Sequence, residues 1–419
     1  MRVPRAALVC VGSELLAGQV NTHQAWLCVR LRRAGFEVVG ESSVPDEARA
    51  LRRALESALA AADAVIVCGG LGPTFDDITR EAAAAALDRT MSFRPALWKT
   101  ILKRFARRHL RVPEENKRQA QVIAGATILA NDAGSAPGQF LRSHGRSLAL
   151  LPGPPSEMYP MFEGLVLPRL KKKHARGVHP AAFSIRLSGV PESVADERLE
   201  AVRARWPQAR FTILASGGEV SFHALTAESS APAARRVRAR LRRQILDAVG
   251  DFAHGEGETT LEAAVGARLK ARGISIAVAE SCTGGLLGGR LTSVPGASSY
   301  FLGGVIAYEN AVKIRRLGVP SRLLARHGAV SAECAAAMAK GARAALNSDM
   351  ALAVTGVAGP GGGTAAKPAG LIFVAVCGPG RSDSVRRLEV HGPRETVRQR
   401  AVTAALRLAY DALSRDVPS

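Results

Sequence analysis

Ala64-Val65-Ile66-Val67-Cys68-Gly69-Gly70-Leu71-Gly72-Pro73-Thr74-Phe75-Asp76-Asp77-Ile78-Thr79 is the stretch that decides the fold of the first half of the chain. Five consecutive apolar residues, three of them β-branched, read as a strand buried on both faces. A turn with three glycines ends it, and an Ala-rich helical stretch follows Thr79. Strand, glycine turn, helix is the repeating unit of a parallel sheet, whose ligands gather beyond the carboxyl ends of the strands. Gly69, Gly70 and Gly72 let backbone N–H groups approach a phosphate. Asp76 and Asp77 suit a divalent cation that bridges carboxylate and phosphate. The same residues also read as a plain turn with Asp caps.

The alternation extends outward. Ala6–Val11, Phe36–Val39 and Leu148–Leu151 read as strands, and Gln24–Arg33 and Ala48–Ala61 as helices. Two more polar loops follow strands. One runs from Gly12-Ser13-Glu14 to Asn21-Thr22, the other from Leu151-Pro152-Gly153 to Ser156-Glu157-Met158. Glu14, Asp76, Asp77 and Glu157 are therefore expected to face one pocket. After Lys171-Lys172-Lys173-His174 the texture changes to short strands around two helices, and Gly250–Thr260 reads as a linker. From Leu261 the strand–helix alternation resumes. The expected fold is α/β: two α/β domains with mainly parallel sheets, residues 1–170 and 256–419, joined by a small α+β middle domain over 171–255.

Composition bounds the function. Of 419 residues, 47% are hydrophobic and 22% charged, which excludes a disordered chain. Lys and Arg number 57 against 36 Asp and Glu, a net +21 that invites a polyanion partner. The cations are scattered, however, and the dense runs at Lys171–Lys173 and Arg235–Arg243 lack interleaved aromatics for base stacking, so nucleic acid is not expected. A positive field still serves small phosphorylated substrates. No apolar run approaches the ~18 residues of a membrane span. The six Cys are far apart with no CxxC, and no zinc-ligand spacing occurs, which suggests a reduced, cytoplasmic protein.

The second half carries its own motifs. Ala279-Glu280-Ser281-Cys282-Thr283-Gly284-Gly285 is a strand end, a hydroxyl-rich turn and a helix start, suited to a phosphate or a developing oxyanion. Cys282 is a possible nucleophile with no His near it in sequence. Pro295-Gly296-Ala297-Ser298 through Tyr308-Glu309-Asn310 to Lys313 offers Ser, Tyr and Lys. A desolvated Lys can activate a Ser, and Tyr308, at the end of an expected strand Val305–Tyr308, can relay a proton. Thr355-Gly356 through Gly363-Thr364 is rich in glycine, which needs a reason such as close approach to a ligand. Arg394 opens the last helix and is placed to hold an anion.

Taken together, these motifs are familiar. The Gly69–Thr79 loop, Gly12-Ser13-Glu14-Leu15-Leu16 with Asn21-Thr22, and Leu151-Pro152-Gly153 resemble the molybdopterin-binding-like domain of the CinA (competence/damage-inducible) family. Ala279–Gly285, Tyr308 with Asn310 and Lys313, His327–Ser331 and Thr355–Pro360 resemble its C-terminal domain, a nicotinamide mononucleotide (NMN) amidohydrolase. The resemblance covers nearly the whole chain. It implies deamidation of NMN to nicotinate mononucleotide and ammonia without a cofactor, and hydrolysis of ADP-ribose at the N-terminal site with a divalent metal and potassium. It implies Ser298 as nucleophile with Ser281 as the alternative, Lys313 as base, and Tyr308 in proton transfer. Thr355 and Gly356, helped by Ser281, would hold the amide or its oxyanion. Thr283, Gly284 and Arg394 (or Arg398) would contact the substrate. In the N-terminal site Gly69, Gly70, Gly72 and Asn21 would bind the nucleotide, with Asp76, Asp77 and Glu14 on the metal. The partners implied are small nucleotides, and a homodimer is expected. Molybdopterin transfer and an inert DNA-associated binding protein are the competing readings. His23 departs from the family pattern, which usually has Asn there.

Overall fold

The computed structural model describes residues 3–107, 109–174, 179–379 and 383–415. It divides into two compact units, one of residues 1–182 with 225–239 and the other of 183–224 with 240–419. The segment expected as a separate middle domain contributes to both.

In the first unit a six-stranded sheet forms from β1 (Arg5–Val11), β2 (Glu37–Val44), β3 (Ala64–Cys68), β4 (Thr127–Leu129), β5 (Gly138–Ser143) and β6 (Arg146–Leu151), in the order β2-β1-β3-β6-β5-β4. The four strands β2, β1, β3 and β6 are parallel, and β5 and β4 extend the sheet antiparallel. Every residue of β3 is buried, as its unbroken apolar run requires. Alternate side chains divide between two cores. Ala64, Ile66 and Cys68 pack with Leu27 and Leu31 of α1 (Thr22–Arg33). Val65 and Val67 pack with Leu51, Leu55 and Leu59 of α2 (Ala48–Ala61). A sheet covered on both faces leaves only the strand ends open. The loops after β1, β3 and β6 emerge at one edge, and α3 (Thr79–Ala86) follows the β3 loop.

The middle strands are β7 (His179–Ser188), β8 (Arg210–Ser216), β9 (Glu219–Glu228) and β10 (Ala253–Glu256), with α4 (Glu192–Ala204) and α5 (Ala231–Val249). The expected linker contains β10, which pairs antiparallel with β7 through Gly255↔Arg186 and Glu256↔Ile185. Its four residues carry too little apolar pattern to register as a strand.

The second unit holds a five-stranded sheet of β11 (Ile276–Glu280), β12 (Phe301–Ile306), β13 (Met350–Gly356), β14 (Leu371–Cys377) and β15 (Ser384–Glu389), ordered β12-β11-β13-β14-β15. The first three are parallel and the last two antiparallel. One face packs on α6 (Leu261–Arg272), α7 (Leu286–Thr292) and α10 (Arg394–Arg415). The other packs on α9 (Ala332–Ala345), and α8 (Asn310–Leu317) follows β12. Among the described residues no helix is long and apolar enough to cross a membrane.

Candidate functional site

In the second unit, the carboxyl ends of β11, β12 and β13 carry the chemistry. Ser281 follows β11 directly, and its N–H donates to Val354 O of β13 (2.9 Å), which fixes the turn. Ala307 N donates to Glu280 O (2.7 Å) and holds the end of β12 beside it. Lys313, on the first turns of α8, reaches back beneath this junction with only 1% of its surface exposed. Its Nζ contacts Ala307 O (2.8 Å), Tyr308 O (3.0 Å) and Ser281 Oγ (3.3 Å). Burial pushes the Lys313 pKa below the ordinary lysine value, outweighing the opposing influence of Cys334, Glu309 and Cys282. In the neutral amine the two carbonyls take both N–H groups and the lone pair is left for the Ser281 hydroxyl. That is the arrangement a general base needs.

The turn after Ser281 is built around Glu280, a 1% exposed carboxylate. Its oxygens accept from the N–H groups of Gly285 (2.9 Å), Leu287 (3.1 Å) and Gly288 (2.8 Å), the open donors at the start of α7. Gly284 and Gly285 take φ +58° and +100°, the left-handed region that a glycine adopts without strain. Thr283 is fully buried, and among the described residues neither its Oγ1 nor Nε of Arg398 has a hydrogen-bond partner; Arg398 Nη2 donates to Thr283 O (2.9 Å). Arg394 donates from Nη1 to Gly359 O (2.9 Å) and from Nη2 to Tyr308 Oη (3.3 Å). It thereby ties the glycine-rich loop and the end of β12 to the first turn of α10. Lys367 Nζ donates to His327 O (2.6 Å), and Thr355 Oγ1 to Ala329 O (2.7 Å), so both stabilise the His327–Ser331 turn.

Four expectations need correction in this unit. Ser298 lies in a short turn just before β12, exposed, where the amino end of β11 begins: Ile276 N donates to Tyr300 O and Ile276 pairs with Phe301. Ser281 is at the other end of β11, about 16 Å away at the rise of a strand. The cause is the true start of β12. Gly303-Gly304 disguised its first residues, so the expected strand began at Val305 and left Ser298 free to reach the wrong end. Thr355 spends its hydroxyl proton on Ala329 O and has none for an oxyanion. Gly356 is a packing glycine, since a Cβ there would sit 2.3 Å from Ile372 Cδ1 and 2.6 Å from Leu371 O. Cys282 is not activated; burial pushes its thiol up to about 12.

In the first unit, a cavity of ≈ 390 Å³ opens at the carboxyl ends of β1, β3 and β6. Glu14, Gly69, Gly70, Gly72, Asp76, Asp77 and Glu157 all line it. Asp77 is spent inside the loop: Oδ1 accepts from Gly72 N (2.7 Å), and Oδ2 from Thr74 N (2.8 Å) and the Thr74 hydroxyl. From beneath, the fully buried Arg80 donates to Leu71 O (2.7 Å) and Gly72 O (3.0 Å), and Arg118 donates to Thr74 O and Asp77 O. With those carbonyls turned toward the arginines, the loop is held in shape before any ligand arrives. Asn21 lies outside the cavity. It caps α1 by accepting from Gln24 N (3.2 Å), and its amide donates to Glu41 and Ser43. Among the described residues no three His, Cys, Asp or Glu side chains are grouped to hold a metal ion. With Asp77 committed to the loop, the side chains alone do not fit a resident ion. A second cavity, of ≈ 370 Å³ in the other unit, is lined by Arg186, Glu219, Glu262 and Arg290 and contains none of the expected residues.

Sequence reasoning gave no role to Glu280, Arg80 or Arg118. Glu280 had a signal, a carboxylate ending a buried strand just before a glycine turn. The two arginines had none among so many surface ones.

A family model described as "CinA C-terminal domain" matches residues 258–413, and one described as "Probable molybdopterin binding domain" matches residues 7–172. A CinA-like protein of Koribacter versatilis is 41% identical over 398 residues, covering 94% of this chain and 96% of that one. A protein of Moorella thermoacetica named as competence-damage inducible is 40% identical over 410 residues, covering 98% and 99%. The crystal structure of the competence damage-inducible protein A of Klebsiella pneumoniae is 36% identical over 38% of this chain and 97% of its own, with a TM-score of 0.36.

Proposed function

We propose, from the premise that this chain belongs to the CinA family of competence-damage inducible proteins, that the Ser281–Lys313 site is an amidohydrolase acting on nicotinamide mononucleotide. The observation that carries this reading is the buried amine of Lys313, held by two carbonyls with Ser281 Oγ at 3.3 Å. Ser281 attacks the carboxamide carbon while Lys313 takes its proton. The N–H groups of Cys282 and Thr283, which Glu280 does not take, stabilise the oxyanion. The C–N bond breaks as Lys313 returns the proton to the leaving nitrogen, which departs as ammonia. Water then attacks the ester with Lys313 again as base, releasing nicotinate mononucleotide and restoring Ser281. No cofactor takes part. The partnerless Thr283 hydroxyl and Arg398 Nε favour a polar ligand here, because a buried unpaired group costs about 1–3 kcal/mol that a substrate can recover. Arg394 and Tyr308 form the outer wall and contact the charged end of the substrate.

For the N-terminal cavity the reading is hydrolysis of ADP-ribose to AMP and ribose 5-phosphate. Water adds to one phosphorus, and the bridging oxygen leaves with the other phosphate. The glycine loop braced by Arg80 and Arg118 supports a diphosphate ligand. A divalent ion and potassium belong to this proposal only together with substrate phosphate oxygens, and no step is assigned to them. The test is to offer the purified full-length chain NMN and ADP-ribose separately, with and without added metal, and to identify the products. Ammonia from NMN and AMP from ADP-ribose support the two readings. Absence of ammonia removes the first. Intact ADP-ribose, or processing of a molybdopterin in its place, removes the second.

A further inference from the structure

The β3 loop carries a side chain that neither chemistry has used. Phe75 is 90% exposed, more than any other large apolar residue described. It sits between Thr74 and Asp76, both of which line the N-terminal cavity. A single exposed ring on a floppy loop would mean little. This loop is not floppy: Asp77 accepts from Gly72 and Thr74 on one side of Phe75, Asp77 N donates to Thr74 O (3.2 Å), and Arg118 grips both carbonyls. The backbone on either side of the ring is thus tied down while the ring itself is left in water. The loop after the neighbouring strand β1 adds Leu16 (58% exposed) and Val20 (79% exposed) at the same edge of the sheet. The cavity lining, by contrast, is glycine backbone, carboxylates and aliphatic residues such as Leu71, Pro73 and Pro152.

We propose that Phe75 is a stacking platform for the heteroaromatic base of the nucleotide whose diphosphate occupies the N-terminal cavity. The inference rests on the nucleotide reading of that cavity. A ligand with a flat, apolar base at one end matches a ring held at the rim of a cavity whose own lining residues include no aromatic side chain. A ring held in place before binding costs little further ordering, so most of the stacking gain appears as affinity. Stacking of one base on an aromatic side chain is worth ~1–3 kcal/mol, roughly a 5- to 150-fold change in affinity. Phe75 therefore selects for nucleotides over sugar phosphates, and, because every base has a stacking face, tolerates different bases.

The test is equilibrium binding to the full-length chain, wild type, Phe75→Ala and Phe75→Trp, with ADP-ribose and with ribose 5-phosphate as the probe that lacks a base. The expected result is at least fivefold weaker ADP-ribose binding by Phe75→Ala, restored in Phe75→Trp, with ribose 5-phosphate binding the same in all three. Indole fluorescence in Phe75→Trp, beyond the wild-type signal, should be quenched by ADP-ribose and not by ribose 5-phosphate. If wild type binds ADP-ribose and Phe75→Ala binds it equally well, the platform is wrong and the nucleotide reading stands. If wild type binds no ADP-ribose, both fall.

Discussion

Lys313 concentrates the argument in one atom. Its Nζ meets two backbone carbonyls and one hydroxyl. Burial lowers its pKa from the ordinary 10.5, so the base form is present at lower pH than for a surface lysine. The turnover of NMN should therefore rise with pH through an inflection below 10.5, read from the pH profile of kcat/KM. Lys313→Arg should not rescue Lys313→Ala, because a guanidinium keeps its proton. The same depression acts on folding. The unfolded chain binds the proton more tightly, so stability rises with pH across the window between the folded pKa and 10.5, and the penalty is complete below it. Urea midpoints of wild type should climb across that window relative to Lys313→Met. A flat difference would mean that the amine titrates like an exposed one. Lys313 was legible in sequence because it closes a Tyr-Glu-Asn-Ala-Val-Lys run after a strand. The identity of its serine was not, since only pairing between β11 and β12 tells which end of the sheet Ser298 occupies.

At the scale of elements, the two glycine turns are held by different devices. The β11–α7 turn folds around the Glu280 carboxylate, and the β3–α3 loop hangs on Asp77 from within and on Arg80 from below. Glu280→Ala strands three helix-start N–H groups and should cost about 3–4 kcal/mol in chemical unfolding, with Glu280→Gln losing less. Arg80→Met leaves the Leu71 and Gly72 carbonyls without donors and should cost about 2–3 kcal/mol. It should also weaken ADP-ribose binding, although Arg80 lies under the loop and not in the cavity. Unchanged binding in a well-folded Arg80→Met would remove the arginine from the loop's architecture. Strands and helices with strong periodicity, such as β3, α2 and α5, are readable from sequence with nearly their true bounds. Those that fail are short or glycine-bearing. β10 hides in a polar stretch, and β12 begins at Phe301 behind Gly303 and Gly304. A strand with glycines in place of apolar side chains has no pattern to read, and here that concealed which end of the sheet Ser298 occupies.

For the whole molecule, a net charge of +21 suits the proposal of two sites for anionic nucleotides, whose association it would speed at low salt. The sites use separate sheets and separate residues, so they should be inactivated separately. Asp76→Ala should suppress ADP-ribose cleavage and leave ammonia release from NMN intact; joint loss of both would show one shared centre. On the proposed function, Ser281, activated by Lys313, is the nucleophile of an NMN amidohydrolase. Ammonia release from NMN by wild type, Ser281→Ala and Ser298→Ala, measured side by side on folded protein, tests it most directly. The expected result is a loss of ~10³-fold or more for Ser281→Ala and a rate within about twofold of wild type for Ser298→Ala. Full turnover in Ser281→Ala, or silence in Ser298→Ala, would contradict it.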